Sequence, residues 1–159
     1  MRILNIDFRI LTVVVSLLPF VTKGAGDEKL IPANWAPSLS ETENACKAEL
    51  EKKNGRSPSQ QEMNEISARL AEVYDAQMFI TYVQLFGRLE TGKREHLFRE
   101  QQQWLRERET KAADAVQSKG GSLAALEYSG AFADLTQKRI AELQSRLRQQ
   151  ARNTKQTEP

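Results

Sequence analysis

From Met63 to Leu89 the chain sets a core-type side chain at every third or fourth position for about seven helical turns. Met63, Ile66, Leu70 and Val73 form one stripe, and Ala71, Asp75, Met78, Tyr82, Phe86 and Leu89 form another beside it. A face this wide touches more than one neighbour, so this segment is expected to be the central helix of a bundle. No stretch alternates with the period of a strand, and no internal repeat is present. The expectation is an all-α fold: a small antiparallel helical bundle built around a long helical hairpin.

The other elements are read from their punctuation. Asp27 to Leu39 carries Pro32 and Pro37, which disfavour helix at the residues before them, and reads as an extended arm over 27–39 that Trp35 pins to the body. "SETE" at Ser40 to Glu43 has the capping-box spacing, and Asn54-Gly55 ends the short helix it opens. "SPSQQE" places a second capping box at Ser59 to Glu62. Gly87 and Gly92 bracket a turn, after which a helix from Lys93 to Ser118 is predicted. In "SKGGS", Gly120 reads as a helix C-cap and Ser122 as the next N-cap. A last helix aligns Phe132, Leu135, Ile140, Leu143 and Leu147, with a break near Gly130. The helical domain then spans 40–148, and the tail 149–159, nearly without apolar residues, reads as flexible.

The start of the chain sets its expected compartment. Arg2 and Arg9 precede the uncharged run Ile10 to Thr22, and Gly24, Ala25 and Gly26 follow it, the order of a secretory signal peptide over 1–26. The run makes about 20 Å of helix, short of the ~30 Å hydrocarbon core, so cleavage is favoured over an uncleaved membrane anchor. Removing 1–26 takes Arg2, Arg9, Lys23 and Asp7 from totals of 23 basic and 21 acidic residues, leaving 20 of each. A neutral mature chain points to neither a nucleic-acid partner nor an anionic membrane surface. Cys46 is the only cysteine. It reads as a buried small hydrophobe, with a Cys46-linked dimer as the alternative.

"LFREQQQWLRER", Leu97 to Arg108, is nearly all polar, yet Leu97, Gln101, Trp104 and Arg108 fall on one helical stripe. If this helix and the central one turn near Thr91, residues whose numbers sum to about 183 face each other. Asp75 then meets Arg108, Met78 and Phe79 lie beside Trp104, and Tyr82 meets Gln101. A guanidinium on a buried stripe needs a carboxylate partner, and such a pair fixes helix register more than it adds net stability.

These residues also carry a family resemblance. "YDAQMFITY" (Tyr74 to Tyr82) and "LFREQQQWLRERE" (Leu97 to Glu109) resemble the two signatures of the lysozyme inhibitor LprI-like domains, with "SPSQQEMNE" upstream and "GGSL" and "LTQKRIAEL" similar to later segments. The resemblance covers about Cys46 to Leu147. It departs from the family pattern where Ile66, Ala112 and Ala131 occupy positions expected to hold cysteine, at Phe79, where the family has Asn, and at Glu109, where it has Asp.

The sequence carries no assembled catalytic chemistry. His96 is the sole histidine, which leaves no His-based metal cluster and no ordinary Ser-His-Asp triad. Glu62 with Glu65 and Glu107 with Glu109 read as solvated helix faces rather than acid/base pairs. No cofactor is expected. The resemblance implies an exported inhibitor that binds a lysozyme and occludes its glycan cleft, with Gly120, Gly121 and Ser122 as the candidate partner-binding loop. The alternatives are an envelope interaction module of the same fold and, least favoured, an enzyme.

Overall fold

The computed structural model describes residues 31–32, 35–51 and 57–157. The signal segment and the Asn54-Gly55 stop lie outside these residues. Among them the chain forms four helices and no strand: α1 (Leu39–Glu51), α2 (Gln60–Gly87), α3 (Thr91–Asp114) and α4 (Gly121–Thr157). No described helix is long and apolar enough to cross a membrane.

Side-chain bridges fix the topology. Asn64 on the first turns of α2 donates to the Ser122 carbonyl at the start of α4 (2.9 Å), and farther along Gln137 donates to the Tyr74 hydroxyl (3.4 Å). Helices α2 and α4 therefore run parallel, and α3 is the antiparallel return between them. The short α1 lies antiparallel on α2, through Glu43 with Tyr74 and Glu49 with Arg69.

The closest backbone packing is between α2 and α4, whereas α2 and α3 scarcely approach one another. Side-chain size explains the difference, because interaxial distance follows the residues at the contact. The buried positions of α2 and α4 include Ala71, Thr81 and Thr136, while α3 interposes Gln101, Trp104 and Arg108. The α2–α3 hairpin is thus a wide one, bridged by long side chains. Below its polar layer sits the apolar core, in which Leu85, Leu97 and Leu143 are almost wholly buried with Ile140 and Met78 beside them.

Helix ends depart from expectation where another donor or acceptor wins. Ser38 rather than Ser40 caps α1, its hydroxyl receiving the Glu41 N–H at 3.4 Å, so Glu43 is free to accept from Tyr74 at 2.5 Å. Burial first, then the Glu43 carboxylate, pushes the Tyr74 phenol up to about 12. The Ser59–Glu62 capping box forms as read, with contacts of 2.7 and 3.3 Å. Arg94 folds back onto the carbonyls of Phe86 and Gly87 at 3.0 and 3.2 Å, and so adds a charged donor at the C-terminal end of α2.

Helix α3 stops at Asp114, before the expected Ser118, and Ala115 is an exposed cap rather than part of the buried stripe. Ser122 is not an N-cap: α4 begins at Gly121. Nor does α4 break at Gly130, where a Cβ would meet open space and the helix continues on the burial of Phe132, Thr136 and Ile140. It runs on to Thr157, past the end of its apolar stripe. In the arm, Trp35 does not pin anything, being 74% exposed; Gln77 does the holding, by donating to the Pro37 carbonyl at 2.9 Å. Cys46 is 2% exposed, so a Cys46-linked dimer would require α1 to lift from α2.

Candidate functional site

Two places gather the residues that the sequence singles out. The first is a polar layer across α2, α3 and α4. Arg108 Nη1 lies 2.5 Å from Asp75 Oδ1 and donates to Thr136 Oγ1 at 3.2 Å. The guanidinium stacks 3.8 Å from the Phe132 ring centroid and 4.9 Å from that of Trp104. Arg108 is 5% exposed, whereas the Asp75 side chain keeps 46% of its surface, so the pair has one buried and one half-wet member.

Two turns back along α3, Gln101 does not meet Tyr82. Its amide nitrogen contacts Met78 Sδ at 3.1 Å and its carbonyl accepts from Arg139 Nε at 3.0 Å. Tyr82 packs instead on Phe86, at 5.8 Å between ring centroids, where burial raises its pKa and the Arg139 charge pulls it down. The wide α2–α3 spacing lets α4 insert Arg139 into the slot that the hairpin register would have reserved for a tyrosine.

Arg139, 3% exposed, is the centre that sequence reasoning missed. Its Nη1 bonds both Glu100 and Glu142 at 2.7 Å, and its guanidinium carbon lies 5.7 Å from the Trp104 ring centroid. Arg146 bonds Glu100 at 2.8 and 2.9 Å and closes the network onto Glu142. Burial alone would push the Glu100 carboxyl up; hydrogen bonds from Arg146 and Arg139 hold it below its ordinary value. The signal was available: Arg139 shares the stripe of Phe132, Thr136 and Leu143, a charge on an apolar face, as Arg108 is on α3.

Trp104 therefore sits between two guanidinium groups, an arrangement worth about 0.5–2 kcal/mol per contact. Arg108 Nε and Arg139 Nη2 are buried without a hydrogen-bond partner, which offsets part of that gain. The layer is turned inward, and what it does is hold three helices in register.

The second place is the α3–α4 connection. Gly120 and Gly121 take φ of +88° and +81°, a region costly for any other residue. The turn is fixed from below by Glu127, whose carboxylate accepts the N–H groups of Gln117 and Ser118 and the Ser118 hydroxyl, each at 2.9 Å. These bonds, the Ser118 backbone first, hold Glu127 below the ordinary carboxylate range. Lys119, Gly120, Gly121, Ser122 and Leu123 are all exposed above this base. The result is an exposed tip on an ordered base.

The carboxylates weighed for acid/base work are otherwise engaged. Glu62 caps α2 and Glu65 accepts from Gln61. Glu107 accepts from Gln103 and Lys111, and Glu109 from Tyr128 at 2.6 Å. Among the described residues no group of His, Cys, Asp or Glu is arranged to hold a metal ion.

Comparison with known proteins agrees with this architecture. The family model described as Lysozyme inhibitor LprI matches residues 42–143, from the first turn of α1 to the last buried leucine of α4. The chain belongs to that family. No curated protein and no solved structure matches it.

Proposed function

We propose that this member of the family of lysozyme inhibitor LprI is exported, loses residues 1–26, and binds a lysozyme to protect peptidoglycan by occluding the enzyme's glycan cleft. The observation that carries the reading is the family match over the whole helical domain. The tip at Gly120, Gly121 and Ser122 supplies the contact: exposed, free of side-chain bulk and already ordered by Glu127, it enters a narrow cleft with little entropy left to lose. Inhibition is by stoichiometric occupation, with no chemistry performed on the enzyme or its substrate. The polar layer of Asp75, Gln101, Trp104 and Arg108, with Leu97 in the apolar core beneath it, supports that tip from within the bundle.

With equal numbers of acidic and basic residues after cleavage, the domain has no strong field to steer it toward a basic lysozyme, so affinity rests on local contacts and changes modestly with salt. Titration against lysozymes of several classes, read as cell-wall clearing, tests the proposal. The expected result is a linear loss of activity ending at a fixed molar ratio. Ser122→Trp, which puts bulk on the tip and leaves the inward-facing layer alone, should weaken inhibition without unfolding the chain. Folded protein that inhibits no lysozyme at micromolar excess would reassign the domain to an envelope interaction module.

A further inference from the structure

A groove of about 310 Å³ opens between α2 and α4, and no residue of α3 lines it. Gln77 and Gln84 from α2 and Gln144 from α4 supply its polar wall; Ile80 and Leu147 supply its apolar floor; Pro32 of the arm closes one end. In a chain with 28% charged residues, none of the described residues that line the groove is charged. Among the described residues Gln84 and Gln144 have no hydrogen-bond partner, and Gln77 uses its amide nitrogen on the Pro37 carbonyl. Trp35, three residues on from the lining residue Pro32, donates its backbone N–H to the Pro32 carbonyl at 3.1 Å and is itself 74% exposed.

Free side-chain amides both donate and accept, as sugar hydroxyls and acetamido groups require. An exposed indole offers a flat apolar face with a polar edge, suited to the C–H face of a pyranose ring. Ile80 and Leu147 can take an acetamido methyl. The volume is at the low end of ~300–1,000 Å³ ligand clefts, enough for a short piece of glycan.

We propose that the α2–α4 groove and Trp35 bind a neutral, N-acetylated glycan strand. The site is separate from the Gly120–Ser122 tip and does not depend on lysozyme being the partner. Binding the wall polymer would raise the local concentration of the domain where that polymer is attacked.

The test uses the full chain with no lysozyme present. A tetramer of N-acetylglucosamine is titrated while tryptophan emission is followed, and retention on purified peptidoglycan sacculi is measured alongside. Expected are a blue shift and saturable retention, nearly unchanged from about 50 to about 500 mM salt because no charge is involved. The Gln84→Ala/Gln144→Ala double variant and Trp35→Ala should each weaken binding about tenfold, with circular dichroism and lysozyme inhibition unchanged. Trp35→Phe should lose the emission signal and keep most of the retention. Absence of retention by the intact chain would overturn the proposal, as would binding that both variants leave intact. Sugar binding that appears only after residues 27–30 are deleted would overturn it too, by showing that the chain fills its own groove.

Discussion

The arginine layer in the middle of the bundle and the glycine tip at its end are opposite solutions to placing polar groups. In the layer, Arg108 and Arg139 are nearly buried, and their charges are met by Asp75, Glu100 and Glu142 and by the faces of Trp104 and Phe132. At the tip, Gly120 to Ser122 stay exposed, while Glu127 ties down the backbone below them and Asn64 of α2 holds the Ser122 carbonyl. Polar groups satisfied inside the fold have little left to offer a partner, whereas an ordered but unoccupied backbone does. The most distinctive sequence motif of this chain is thus turned into the fold, and its least distinctive residues, two glycines and a serine, are left exposed and are the ones proposed above to make contact.

The largest expected effect lies in the layer. Trp104→Ala removes the ring between both guanidinium groups and should cost about 3–5 kcal/mol in urea unfolding. A loss under about 1 kcal/mol would mean that the layer is held by its ion pairs alone.

Next comes Asp75→Ala, which strands the buried Arg108. Because the Asp75 side chain is half exposed, its contribution is discounted to about 2–3 kcal/mol. Arg108→Met added to Asp75→Ala should recover part of the loss, since a buried unpaired charge is then removed. A double-mutant cycle showing no coupling between positions 75 and 108 would contradict the pairing.

The layer should also be acid-sensitive in a way that the tip is not. Glu100 titrates below its ordinary value of 4.5 in the folded protein. Its depressed pKa stabilises the fold above that ordinary value, and this contribution is lost as pH falls through the lowered one. Melting temperatures of the native chain and Glu100→Gln should therefore differ most near neutrality and converge in acid. A gap that stays constant down to strong acid would remove Glu100 from the account.

The smallest effects separate the glycines. Gly121→Ala meets no atom, yet its φ of +81° makes the substitution cost about 1–2 kcal/mol. Gly130→Ala, inside regular helix with open space around it, should stabilise by up to about 1 kcal/mol. Equal effects at the two sites would show that the tip backbone is not held in its left-handed turn.

Period and punctuation were legible in the linear chain. The 3–4 spacing of α2, the Ser59–Glu62 box and the Asp75–Arg108 juxtaposition all follow from local rules, because helical geometry fixes which residues share a face. Four matters were settled only by assembly. The cap of α1 moved to Ser38 once Glu43 had Tyr74 to bond. Gly130 stayed helical because the burial of Thr136, Ile140 and Leu143 beyond it outweighs an intrinsic cost of about 1 kcal/mol. Helix α4 packed closely on α2 while α3 was held off by its own large side chains. That spacing admitted Arg139 to Gln101 in place of Tyr82. Each of these depends on which groups distant in the chain arrive together, and a hydrogen bond or a buried contact supplied from afar exceeds the few tenths of a kcal/mol by which local preferences differ.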